Sequence, residues 1–130
     1  MSAMSIIRQR LSDQSIDHGI YYEMAEDGQN RPFIVLMEDS MEPHNTHNTA
    51  SKLDRVTCRV LVFGDRYETS GASVGAKTLA DAARNALDRY VVNDTVEVYF
   101  QNEQTDSIIN SGNKRAYLVE QTYDVWVYRI

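Results

Sequence analysis

The segment Gly71-Ala72-Ser73-Val74-Gly75-Ala76-Lys77-Thr78 sets two glycines and a lysine just ahead of a helical pattern. Glycine amides and a lysine at a helix N-terminus are the groups that surround phosphates. The pattern departs where that chemistry is least forgiving. Ala76 stands where the glycine before the lysine belongs, and a polar stretch separates Gly71 from the preceding strand. Nucleotide binding through residues 71–78 is therefore a minor alternative, against a connector whose serine or threonine caps the helix that follows. His44 and His47, with Glu42 and His18 nearby in sequence, are the ligand types that suit zinc or nickel. They lie in an asparagine- and threonine-rich stretch with no helix to aim them, so they read as solvated residues and no metal site is expected. Cys58 paired with His44 or His47 would make a nucleophile and base. It shares an alternating strand face with Val56, Val60 and Val62, however, and reads as a buried structural thiol. Asp65, Glu68, Asp81 and Asp88 are scattered over connector and helix surface, and no spacing pairs two carboxylates across a cleft. No catalytic residue, cofactor or metal is expected from these patterns.

Length and composition narrow the function classes further. The 130 residues allow one domain, 1–130, and 42% hydrophobic with 25% charged residues is an ordinary globular composition. Nineteen acids against thirteen bases give a formal charge of -6, and protonating all three histidines would still leave about -3. Tight binding to a nucleic-acid backbone is disfavoured for such a chain. Eight tyrosines are present, but basic residues do not interleave with them as single-strand binding requires. A single cysteine excludes an internal disulfide and fits a reducing compartment. No stretch of about 18 apolar residues exists, so neither secretion nor membrane insertion is expected.

The elements that would position these residues follow from periodicity. Met4, Ile7 and Leu11 predict a short amphipathic first helix. Ile20-Tyr21-Tyr22 and Phe33 to Met37 predict two strands, the second buried on both faces. Residues 38–54 read as a long polar loop, and Val56 to Phe63 as an alternating strand. Leu79, Ala82, Ala83, Ala86, Leu87 and Tyr90 predict one long helix with a narrow apolar stripe of small residues. Val96 to Phe100 alternates, residues 101–115 read as a second polar loop, and Ala116 to Ile130 as a closing strand. In that strand Tyr117, Val119, Tyr123, Val125 and Val127 face one way, while Trp126, Tyr128 and Ile130 add apolar area to the other. The fold expected is α+β: a mixed or mostly antiparallel sheet of about five strands, flanked by a short N-terminal helix and one long helix.

This order, with the pieces Arg31-Pro32-Phe33-Ile34-Val35, Val62-Phe63 and Ala80-Asp81-Ala82-Ala83-Arg84-Asn85-Ala86-Leu87, resembles the tail-completion, or tail-terminator, proteins of long-tailed bacteriophages. The resemblance covers about residues 4–130 and rests on order and spacing, since no piece is a catalytic signature. It implies a non-enzymatic virion protein, made in the host cytoplasm and placed at the head–tail interface. There six copies would form a homohexameric ring on the head-proximal end of the tail tube. Such a ring stops tube polymerisation, touches the tube protein on one side and the head connector or neck proteins on the other, and lets DNA through its lumen without specific binding. A head–tail connector adaptor or a tube-like subunit of similar topology is the alternative. The two long polar segments are the expected partner surfaces, with Asp39, Glu42, His44, Asn45 and His47 in the first and Gln101, Glu103, Asp106, Lys114 and Arg115 in the second. Trp126 and Tyr128, on the outer side of the last strand, complete the set.

Overall fold

A computed structural model describes residues 3–16, 19–23, 33–45, 52–64, 75–92, 95–109 and 115–129; it describes no side chains at 43–45, 52, 107–109, 115, 116 and 129. The elements run α1 Ala3–Asp13, β1 Ile20–Tyr22, β2 Phe33–Asn45, β3 Lys52–Gly64, α2 Ala76–Leu87, β4 Tyr90–Val92, β5 Val96–Ile109 and β6 Arg115–Arg129. The strands form one sheet in the order β1-β2-β3-β6-β5-β4. β1 pairs parallel with β2, and every other neighbouring pair is antiparallel.

The expected α+β domain of about five strands, a short helix and one long helix is corrected by this architecture. The chain is mostly β, with six strands in a curled half-barrel sheet and two short helices among the described residues. Four strands run 13 to 15 residues, whereas the helices have 11 and 12. Both stretches read as loops carry the difference. Residues 38–45 continue β2, 52–54 begin β3, and 101–109 continue β5. Their described side chains are mostly polar and exposed, and where α2 does cover β5 it meets Glu103 rather than an apolar residue, so the alternation that marks a strand is absent. A bulge interrupts each hairpin, between Glu38 and Ser40 and between Phe100 and Asn102, and a bulge increases local twist.

One face of the sheet carries both helices. Val56, Cys58, Val60 and Val62 of β3 meet Val125, Tyr123, Gln121 and Val119 of β6 on that face. Ile7 and Leu11 of α1 and Leu79, Ala80, Ala83 and Leu87 of α2 are buried in the same core. The small residues let α2 lie close, and Gly64 shows how close: a Cβ there would stand 3.3 Å from the Ala76 backbone nitrogen. α2 begins at Gly75 without a side-chain cap, which corrects the expected serine or threonine cap. It stops at Leu87 because Asp88 turns extended and Arg89 takes a φ of 61°. Tyr90, expected on the helix, therefore starts β4. Arg10 ties the helices together: its Nε donates to the Ala86 carbonyl at 2.8 Å and its guanidinium lies 4.5 Å from the Tyr90 ring centre.

The opposite face has no helix. Near one end Phe33 and Phe63 stack at 4.8 Å, Tyr21 meets Phe33 edge-on at 6.1 Å, and Val35 and Leu61 are buried beside them. Leu11, fully enclosed between α1 and the sheet, gives a direct check of this packing. Leu11→Ala is expected to lower the free energy of unfolding in urea by about 2–5 kcal/mol. Met41→Ala, at a side chain 57% exposed, should change it by less than about 0.5 kcal/mol.

Candidate functional site

The registers decide which of the candidate residues meet. Glu42 pairs with Arg55, Arg55 with Trp126, and Trp126 with Glu97, so these four form a row across β2, β3, β6 and β5 on the helix-free face. The next row toward the β2–β3 turn holds His44, Leu53 and Tyr128. Glu42, Trp126 and Tyr128 thus gather at one end of the sheet, with the backbones of His44 and Asn45 beside them. The side chains of His44 and Asn45 and the whole of His47 lie outside the described residues, as does His18. At the other end Ile109 pairs with Arg115 and Asp106 with Leu118, below the second turn. Lys114 lies outside the described residues and Arg115 is described by its backbone alone. The two expected partner segments are therefore two hairpins whose turns point to opposite ends of one sheet.

The acids of the first hairpin are held in ion pairs. Glu42 meets Arg55, and Asp39, at the bulge, accepts from Arg59 Nε at 2.8 Å. Arg59 also reaches Glu120 at 3.0 Å, which spans three strands with one guanidinium. These hydrogen bonds, to Glu120 and to Asp39, raise the Arg59 pKa. Glu97 accepts from Tyr128 at 2.6 Å and from Tyr99 at 2.7 Å, and these bonds hold its carboxyl below the ordinary carboxylate value. Arg55, Arg59, Glu97, Tyr99 and Glu120 were not singled out by sequence. Their importance depends on cross-strand register, and no local pattern encodes it.

The second hairpin contains the buried polar part of the molecule. Gln121 is fully enclosed on the helix-covered face, donates to the Ala80 carbonyl at 2.8 Å and to Glu103 at 3.0 Å, and accepts from the Tyr123 hydroxyl at 2.7 Å. Glu103 in turn meets Lys77, which also pairs with Asp81 at 3.0 Å. Burial pushes the Glu103 pKa up, but the hydrogen bonds from Gln121 and Lys77 outweigh it and leave the carboxyl below its ordinary value. Lys77, the cation of the 71–78 segment, is raised by the same partners, Glu103 first and Asp81 second. Residues 71–74 lie outside the described residues. Arg84 lies 3.9 Å over the Phe100 ring, which meets Tyr123 edge-on at 5.6 Å. Gln101, at the bulge, and Asp106 are exposed.

The thiol of Cys58 is held away from nucleophilic chemistry. Cys58 is 1% exposed, and burial first, then the charges of Glu38, Asp39 and Asp124, push its thiol up to about 12. Among the described residues no group of three His, Cys, Asp or Glu is placed to hold a metal ion. Among the described residues, an open, polar depression is lined by Asp81, Arg84, Asn85 and Asp88 of α2 and its C-terminal end. The large apolar side chains most exposed among the described residues are Met41, Val91, Tyr22 and Val92. No described helix is long and apolar enough to cross a membrane.

No family model and no curated protein matches this sequence. Among solved structures, the fold is similar to a chain of the virion of a native gene transfer agent (GTA) particle. The TM-score is 0.59 at 10% identity, covering 95% of this chain and 92% of that one. At that identity the likeness is one of fold, and it takes in nearly the whole of both chains.

Two measurements check this account of the site. Cys58 in the native protein should resist a thiol reagent at neutral pH and react at the rate of a free thiol once unfolded; rapid native labelling would contradict its burial. The second concerns pH. Because the folded pKa of Glu103 lies below the ordinary 4.5, the stability it contributes is present above that value and is lost as pH falls through the folded pKa. Glu103→Gln should therefore be less stable than the native chain at neutral pH, with a shallower decline of unfolding free energy below pH 4.5.

Proposed function

We propose that this chain is a non-enzymatic structural component of a phage-like virion. In this reading it forms the ring that caps the head-proximal end of a tail tube, ends tube polymerisation and joins the tail to the head's connector. The observation that carries the proposal is the fold shared over nearly the full length with a chain of a gene transfer agent virion. The geometry supports it in two ways. A protein that joins two assemblies needs contact surfaces facing apart, and the β2–β3 and β5–β6 hairpins turn at opposite ends of the sheet. A ring around passing DNA benefits from repulsion, and the chain carries a net charge of -6. Closure as a ring of six copies is part of the proposal, since a heterologous interface that closes gives a ring.

Native mass spectrometry of the purified chain, with and without magnesium and ATP and backed by negative-stain images, tests this reading together with deletion of the gene. A closed ring indifferent to ATP and overlong tails in the deletion are expected. Open-ended polymers would make the chain a tube-like subunit, and stoichiometric ATP binding would return residues 71–78 to an enzymatic role.

A further inference from the structure

Three of the four most exposed large apolar side chains, Met41, Val91 and Val92, are related by the registers of the sheet. Met41 on β2 is level with Val56, Val125, Val98 and finally Tyr90 on β4. One row further on the same face, Pro43 is level with Asp54, Val127, Val96 and Val92. Met41 and Val92 therefore share the helix-covered face on opposite flanks of the sheet, two residues or about 7 Å apart along the strands. Val91, 46% exposed, lies between Tyr90 and Val92 and turns its side chain to the other face.

The charges at the two flanks are unlike. Asp39 and Glu42 on β2 are met within the chain by Arg59 and Arg55, so neither is left over for a partner. Glu38, exposed beside them, forms no ion pair or hydrogen bond through its side chain among the described residues. On the β4 side the same is true of Arg89, exposed just before Tyr90 and within electrostatic reach of Tyr99. Tyr99 is level with Asp124, Thr57 and Ser40, which sets Arg89 at a height between Glu38 and Met41. One flank thus presents an acid and an apolar side chain, and the other a base and two apolar side chains at nearly the same height.

We propose that these two flanks bind each other between copies: the β2 flank at Glu38 and Met41 of one chain docks on the β4 flank at Arg89, Val91 and Val92 of the next. A second copy is the occupant because it brings both complements at matching heights, a base for Glu38 and exposed valines for Met41. Unlike surfaces on one chain associate heterologously, so each copy keeps one flank for a further neighbour and the series can close as a ring. Met41 and the valines supply the apolar centre of the contact. The ion pair, worth little at an exposed site, fixes the height of one copy on the next. The proposal rests on the reading of the chain as a ring and names the contact that closes it.

The test uses the full chain, with Met41→Asp and Val92→Asp as separate variants, and follows assembly by native mass spectrometry and sedimentation over a wide concentration range. Each variant alone should be monomeric, because every contact needs a sound β2 flank and a sound β4 flank. Mixed in equal amounts, they should form a dimer with one chain of each kind and nothing larger. Glu38→Arg and Arg89→Glu should each weaken assembly by about fivefold, and the two substitutions in one chain should restore it. Should Val92→Asp fail to fold, chains carrying Met41→Cys and Val92→Cys are mixed under mild oxidation, and disulfide dimers of unlike chains should outnumber those of like chains. Rings that survive both aspartate variants would overturn this contact and leave the ring reading in place. An aspartate mixture that stays monomeric would overturn it as well. So would a native chain that stays monomeric with no excess of unlike disulfide dimers, and overlong tails in the gene deletion would then still support a ring with another contact.

Discussion

The register between β3 and β6 is the constraint on which the molecule depends. These two strands form the centre of the sheet and are paired from Lys52 with Arg129 to Gly64 with Tyr117. Side chains alternate between faces, so a slip of one residue would exchange the faces of one strand. Arg55, Thr57 and Arg59 would then lie under the helices in place of Val56, Cys58 and Val60. The cost of burying those guanidinium groups without partners exceeds what any single contact returns. The same register carries Trp126 to Arg55 and lets Arg59 join Asp39 to Glu120, so the helix-free surface and the core are set by one choice.

Gln121 narrows that choice. An amide in the middle of an apolar face is stable only when its hydrogen bonds are made, and an unmade one costs about 1–3 kcal/mol. Its partners come from α2 through the Ala80 carbonyl, from β5 through Glu103 and from its own strand through Tyr123. Apolar packing alone would tolerate small shifts of α2 along the sheet, but these bonds tie the helix to one position. Glu103 extends the tie to Lys77 in the first turn of α2, which places a surface ion pair and a buried amide in one chain of contacts.

Much of the core was legible in the sequence because one-sided burial leaves a period. Ile7 and Leu11, the face Val56, Cys58, Val60 and Val62, the stripe Leu79, Ala83, Ala86 and Leu87, and Tyr123 with Val125 are all buried together. Residues 38–45 and 101–109 were not legible as strands, since their described side chains are mostly polar and exposed, and the one that α2 covers, Glu103, is a carboxylate held by Lys77 and Gln121, so no apolar alternation is kept. β4 was missed because Tyr90 falls in register with the apolar stripe of α2 and reads as its last member, while the turn at Arg89 that ends the helix leaves no mark in that period. For the site, the length and polarity of segment 38–54 suggested Asp39 and Glu42 as partner-facing residues. Their partners Arg59 and Arg55 lie across the hairpin, where only the register could have found them.

Two hairpins that turn at opposite ends of one sheet and a fold similar to that of a virion chain are the observations behind the proposed assembly part. The central claim is that such a part occupies one ring at the junction of head and tail. Counting copies per purified particle by quantitative mass spectrometry, across particles with tails of different length, tests it most directly. The account predicts a constant number of about six, independent of tail length. A copy number that rises in proportion to tail length would contradict it.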